Sequence, residues 1–216
     1  LFYFHDSRGF TLASASSLLL IYIASGMLGA IGLSALAQRL GKHRTLQLAC
    51  VGYSLGLIGI ALLPKGQYAI TALLMFVLGF LAAGFVLLDR AMVADVGDAV
   101  RLQQGKHRVG LLYAMITSSQ KIASALSIGL TFTLLGLIGY KADEHALNSP
   151  AAIGGMELVY IVGPIVFVML GGACFIGYKL DSRRHAEIRA ALEARDALVL
   201  EPPVLQGLSG ESGAAI

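Results

Sequence analysis

Charge is scarce in this chain. Of its 216 residues only 13% are Asp, Glu, Lys or Arg, while 56% are hydrophobic. Soluble domains carry about 25% charged residues, so an ordinary water-soluble domain is excluded. Cysteine is nearly absent too. Cys50 and Cys174 each fall inside an apolar segment, with no CxxC pair; this excludes a disulfide framework and leaves two small core residues. No HExxH, GxSxG or P-loop pattern occurs, and no apolar run offers two metal-ligand side chains at helical spacing. All five histidines, His5, His43, His107, His145 and His185, fall in loops or in the tail. An enzyme is therefore not expected. The net charge of +3 does not point to nucleic acid, because the bases come in short clusters between apolar runs. The chain opens on "LFYFHDSRGF" without a signal-peptide pattern; "LFYF" reads as the end of a span that begins upstream, in a longer protein.

What is present is apolar length. Crossing a hydrocarbon core about 30 Å thick takes about twenty apolar residues, and five stretches qualify: Leu12–Ala37, Leu46–Leu63, Ala69–Leu88, Val109–Ile138 and Leu158–Tyr178. The expected fold is all-α, a polytopic membrane helix bundle over residues 1–180. A tail over 181–216 follows. Lys and Arg number one, three, one, four, one and four in the successive segments His5–Phe10, Gln38–Arg44, Pro64–Tyr68, Asp89–Arg108, Tyr140–Glu157 and Lys179–Arg189. This alternation follows the positive-inside bias and puts the "QRLGKHR" loop, the Asp89–Arg108 segment and the C-terminus in the cytoplasm. Glycines at 26, 29, 32, 52 and 56 suit close helix approach in lipid. Glu187, Arg189, Glu193 and Arg195 suit a short surface helix in the tail, and "EPPVLQGLSGESGAAI" has the composition of a disordered end.

Two features stand out against the apolar background. Lys121 lies 12 residues into the span that starts at Val109, about 18 Å along a helix and so near mid-membrane. A lysine there costs at least about 2.5–3.5 kcal/mol, so such residues face a bundle interior or a water-filled cavity. Its helical neighbours Thr117, Ser118 and Ser124 make a small, hydroxylated face, while Met115, Ile122 and Leu126 fall elsewhere on the wheel. The plainer alternative is an ion-paired or packing lysine. The second feature is the charged run around Asp95, Asp98, Arg101 and Arg108, with Arg39 and Arg44 of "QRLGKHR" grouped with it as candidate gate charges. Asp95 and Asp98 share one face of a helical end. The run reads either as a solvated loop, whose pairs are individually worth about 0–1 kcal/mol, or as gate charges that hold the cytoplasmic side shut.

The run "MVADVGDAVRLQQGKHRVGLLYAMITSSQK" resembles the glycoside–pentoside–hexuronide:cation symporters, the melibiose-carrier-like branch of the major facilitator superfamily. In that family an ADxxD sequence ends helix 10, a basic loop follows, and helix 11 carries a lysine; "QRLGKHR" is similar to the loop between helices 8 and 9. The resemblance covers nearly the whole chain and implies the C-terminal half of the fold, the end of helix 7 plus helices 8–12. Lys121 then matches the helix-11 lysine near the sugar and cation sites, Thr117 a polar position near the sugar, and Asp95 and Asp98 the acidic pair of helix 10. The sequence departs from the family at Ala99, Val109 and Val86, the last standing about where melibiose carriers have a sugar-lining tryptophan, a residue this chain lacks altogether. The resemblance implies a secondary transporter in a bacterial inner membrane, moving a sugar or glycoside-like solute with Na⁺ or H⁺ by alternating access. It implies no organic cofactor or metal. The partners it implies are the solute, the bilayer and an N-terminal six-helix half that holds most of the ion site. Alternatives are a non-sugar solute such as an organic anion or lipid-like molecule, and a transport-inactive membrane partner or sensor.

Overall fold

A computed structural model describes residues 1–106, 108–143, 146–178 and 180–200. His107, His145 and the low-complexity end from Glu201 onward lie outside the described residues. All the regular structure among the described residues is helical. A π-helical turn, Tyr3–Ser7, precedes α1 (Leu12–Leu40), α2 (Lys42–Leu62), α3 (Tyr68–Gln104), α4 (Val109–Ile138), α5 (Pro150–Ala173) and α6 (Ser182–Leu200). The first five are long and apolar enough to cross a membrane.

The helix ends follow local chemistry. The Thr11 hydroxyl accepts the Ser14 amide at 3.2 Å and starts α1. Ser149 does the same for α5 through Ala152, with Pro150 in the first turn, where its missing N–H costs nothing. Gly41, at φ +89°, is both the last cap of α1 and the first of α2. Only a residue free of a Cβ reverses the chain there so abruptly.

Four helices outrun their apolar windows: α1 runs on to Leu40 and α2 starts at Lys42, so that only Gly41 of "QRLGKHR" lies outside a helix, and α3 and α5 differ most. α3 does not end at Leu88 but continues to Gln104, so most of the expected Asp89–Arg108 loop is helix. Hydropathy marks the part of a helix that sits in lipid and is blind to its continuation into water. Between Asp89 and Gln104 only Gly97 opposes helix, and Gly105 ends it. α5 begins at Pro150 rather than Leu158, which brings Glu157 inside the helix.

α3 is the axis of the bundle. α1 and α2 pack along it, α5 packs on α2, and α4 rests on α5 and α3 at the periphery. α1 and α3 cross almost backbone to backbone: a Cβ added at Gly29 would collide with the Phe80 carbonyl, and one at Gly79 with that of Tyr22. One core cluster gathers Phe4, Leu18, Ile60, Met75, Leu78 and Met156; a second, toward the basic end, holds Ala37, Leu46, Cys50, Leu88 and Met92. Ile23, Met27 and Ile31 on α1 are exposed, as suits side chains that meet lipid tails.

Candidate functional site

The α4 wall is the simpler of the two candidate regions. α4 has no buried residue. It touches its neighbours near its two ends, where Val109 and Leu112 meet Gly97 of α3 and Ile138 meets Gly155 of α5. Every residue from Thr117 to Thr133 is exposed. Lys121 therefore stands in the middle of a free-standing stretch, with no hydrogen-bond or ion-pair partner among the described residues. Thr117, Ser118 and Ser124 stand exposed around it. The Ser124 hydroxyl donates to the Gln120 carbonyl at 2.8 Å, so it is satisfied within its own helix. The two-sided helix expected from the wheel is not resolved by packing: Met115, Ile122 and Leu126 are exposed at 60, 61 and 68%, as open as the polar face.

The charged end is built differently. Asp95 is buried, only 6% exposed, because α3 turns it inward between the start of α2 and α6. The Lys42 ammonium lies 2.6 Å from both of its carboxylate oxygens, which satisfies the two at once. His185 of α6 adds a second contact: its Nε2 lies 3.3 Å from Asp95 Oδ1 and 3.1 Å from Asp98 Oδ2. A neutral imidazole has one N–H and donates to one of the two; an imidazolium opposes both charges. Tyr178 stands beside this group, its hydroxyl buried without a hydrogen-bond partner among the described residues. Burial, and then the Asp95 charge, push the Tyr178 phenol above its ordinary range. A cavity of about 380 Å³ opens here, lined by Gln38, Lys42, His43, Asp95, Ser182 and His185 among others.

The expected gate charges thus divide. Asp95 and Asp98 do share a face, and Arg101 is engaged, its Nη2 2.7 Å from Asp196 of α6. Arg39, Arg44 and Arg108 are exposed and have no side-chain partner among the described residues. The cations that reach the two aspartates, Lys42 and His185, were not singled out by the sequence reading. Both are contributed from a distance along the chain, and only folding brings them to α3. The signal for Lys42 was available in "QRLGKHR", where it registered as topology charge alone.

The opposite end carries a cluster that the sequence reading missed entirely. Arg8 is buried, 7% exposed. Its guanidinium donates to the Tyr3 hydroxyl from Nε at 3.0 Å and Nη2 at 2.7 Å. It also donates to the carbonyls of Leu63 at 2.7 Å and Ala61 at 3.0 Å. A cation therefore sits on the carbonyl end of α2, where the helix dipole favours it. Beside it the Tyr140 hydroxyl donates to Asp6 at 2.5 Å, and the Ser7 hydroxyl to Glu157. Burial and the Asp6 carboxylate raise the Tyr140 phenol above its ordinary range, so it stays a donor. These bonds tie the segment before α1 to the ends of α2 and α4 and to the N-terminal part of α5.

Comparison with known proteins bears on both regions. The family model described as MFS/sugar transport protein matches residues 1–182. Identity is 29% to the uncharacterized symporter YjmB of Bacillus subtilis, over 78% of this chain and 36% of that protein. It is 30% to an uncharacterized symporter of Synechocystis, over 74% of this chain and 30% of that protein. It is 28% to sodium-dependent lysophosphatidylcholine symporter 1 of Homo sapiens, over 64% and 25% respectively. The chain thus spans between a quarter and just over a third of the length of these relatives.

Proposed function

The chain belongs to the MFS/sugar transport protein family, an integral membrane family of transporters, and we propose that it is the C-terminal half of a cation-coupled symporter. In such folds two halves rock about a site near the bilayer midplane. This half supplies one wall of that site from α4, and an N-terminal six-helix half of the same protein supplies the other. The coupling ion is Na⁺ or H⁺, and the solute is a sugar or glycoside-like molecule. The protein lies in a bacterial inner membrane with α6 in the cytoplasm. The alternation of Lys and Arg counts along the chain supports that orientation.

One observation carries the reading: an unpaired lysine at the middle of α4, among hydroxyl groups, on a helix left uncovered by its own half. A central ammonium costs at least about 2.5–3.5 kcal/mol, and no partner among the described residues repays it. Lys121 therefore pairs with an acidic residue of the other half across the solute cavity. The test is Lys121→Ala in the full-length protein reconstituted into vesicles, with uptake measured under imposed Na⁺ and H⁺ gradients. Loss of coupled uptake is expected; a normal rate with normal cation dependence would overturn the role.

A second reading, the same fold carrying a lipid-like solute, is favoured by a specific observation. The chain contains no tryptophan, the aromatic with the largest face for the apolar C–H surface of a sugar ring, and one relative is a lysophosphatidylcholine symporter by name. A panel of sugars and of single-chain phospholipids, screened by thermal shift of the purified full-length protein, separates the two.

A further inference from the structure

α6 is more than a solvated tail helix. Ile188 and Leu192 are buried, 7% and 4% exposed, and they dock the helix against the end of α3 that bears Asp95 and Asp98. Three polar contacts reinforce the docking: His185 against the aspartate pair, Arg101 with Asp196 at 2.7 Å, and Arg195 Nη1 donating to the Arg101 carbonyl at 3.2 Å. The remainder of α6 is weakly held. Arg183 and Arg189 are exposed and, among the described residues, pair only within the helix, with Glu187 and Glu193 at 3.6 Å. The link from α5 turns at Gly177, φ +80°. Two buried apolar side chains and three contacts make a small interface, of the kind that opens locally without unfolding a domain.

We propose that α6 is a releasable latch that acts as a brake. Docked, its His185 occupies Asp98 and shares Asp95 with Lys42, so neither aspartate is free for another cation. α6 also contributes Ser182 and His185 to the lining of the 380 Å³ cavity beside α3. Undocked, it uncovers Asp98 and opens that cavity to solvent, while Lys42 keeps Asp95 paired. The brake rests on the transporter reading above; the docking does not. The latch therefore predicts that His185 governs the attachment of α6 specifically, with the membrane helices indifferent to its loss.

The test uses the full-length protein in lipid nanodiscs, by hydrogen–deuterium exchange, together with uptake in vesicles. His185→Ala should speed exchange of the α6 amides by about tenfold or more, the scale of losing charge-assisted hydrogen bonds that hold a locally opening segment. Amides of α3 between Leu78 and Leu88 should keep their protection. Arg189→Ala, which removes only an exposed contact, should leave α6 as in the wild type. Uptake by His185→Ala should exceed that of the wild type at equal protein. Unchanged α6 exchange in His185→Ala overturns the latch, and so does equal loss of protection in α3, which would make the effect a general loosening. Faster exchange with unchanged uptake overturns the brake. A wild type that moves no solute counts against the transporter reading, and the exchange comparison still decides the docking.

Discussion

Arg8 and Lys42 hold opposite ends of the bundle, and each faces groups that are costly to leave alone. Arg8 satisfies two carbonyls at the end of α2 and one phenol. Arg8→Met keeps the stem and removes every donor. Its expected cost is about 2–3 kcal/mol, the scale of hydrogen bonds made by a charged group in a buried site, read as a lower melting temperature of the full-length protein in detergent. Lys42 is partly open to water, so its pair with Asp95 counts for less. Lys42→Met should cost only about 1–2 kcal/mol, above an exposed pair but discounted for screening. Asp95→Asn in the same background should then cost less than it does alone, because the two effects share one interaction. A double-mutant cycle by thermal melting checks this, and strict additivity would show that the two side chains do not act as a pair. Of these residues the sequence exposed only Asp95, through its i, i+3 spacing from Asp98. Arg8 and Lys42 were countable as topology charges, but the α2-end carbonyls that Arg8 reaches and the carboxylate that Lys42 reaches lie some fifty residues away. No local pattern carries that information.

The helices themselves were more legible, because the rule that identifies them is local. All five expected spans fall on α1 to α5. Their misplaced ends share one cause: hydropathy reports solvent preference, whereas helix ends depend on caps and breakers such as Ser149, Pro150 and Gly105. Glycines 26, 29 and 32 were legible as a small face, yet their partner was not. Gly79 sits in an apolar run with nothing to distinguish it until α1 is laid across α3. There the two backbones meet, and a side chain at either position must displace a carbonyl. Gly79→Val should therefore cost more than about 4 kcal/mol, the exceptional range for a point substitution, or prevent folding outright. Gly129→Ala on α4 is the matched control, since a Cβ there meets nothing within 4 Å. It should be neutral or gain up to about 1 kcal/mol from helix propensity in an otherwise ordinary helix position. Recovery of monodisperse full-length protein after detergent extraction, followed by thermal melting, distinguishes the two outcomes.

At the scale of the whole molecule, the uneven burial of the helices matters most. α3 has buried residues along much of its length, while every residue in the middle of α4 is exposed. In water such a helix would be unstable; in lipid its apolar face needs no protein cover. Its polar face does, because a lysine and several hydroxyls gain nothing from lipid tails. The two faces are equally bare here, so the distinction drawn from sequence becomes a statement about what each face meets in the proposed transporter. Ser118 and Ser124 should meet an aqueous cavity, Ile122 and Leu126 lipid or protein. A full-length protein with Cys50 and Cys174 replaced gives the means to test it, by single substitutions Ser118→Cys, Ile122→Cys, Ser124→Cys and Leu126→Cys. A small, charged, membrane-impermeant thiol reagent should modify the two serine positions much faster than the other two, since a thiolate forms readily only where water reaches it. Transported solute should slow modification at Ser118→Cys and Ser124→Cys and leave the apolar pair unaffected. Equal reactivity at all four positions would mean that α4 has no solute-facing side, and Lys121 would then be an interface residue rather than part of a transport cavity.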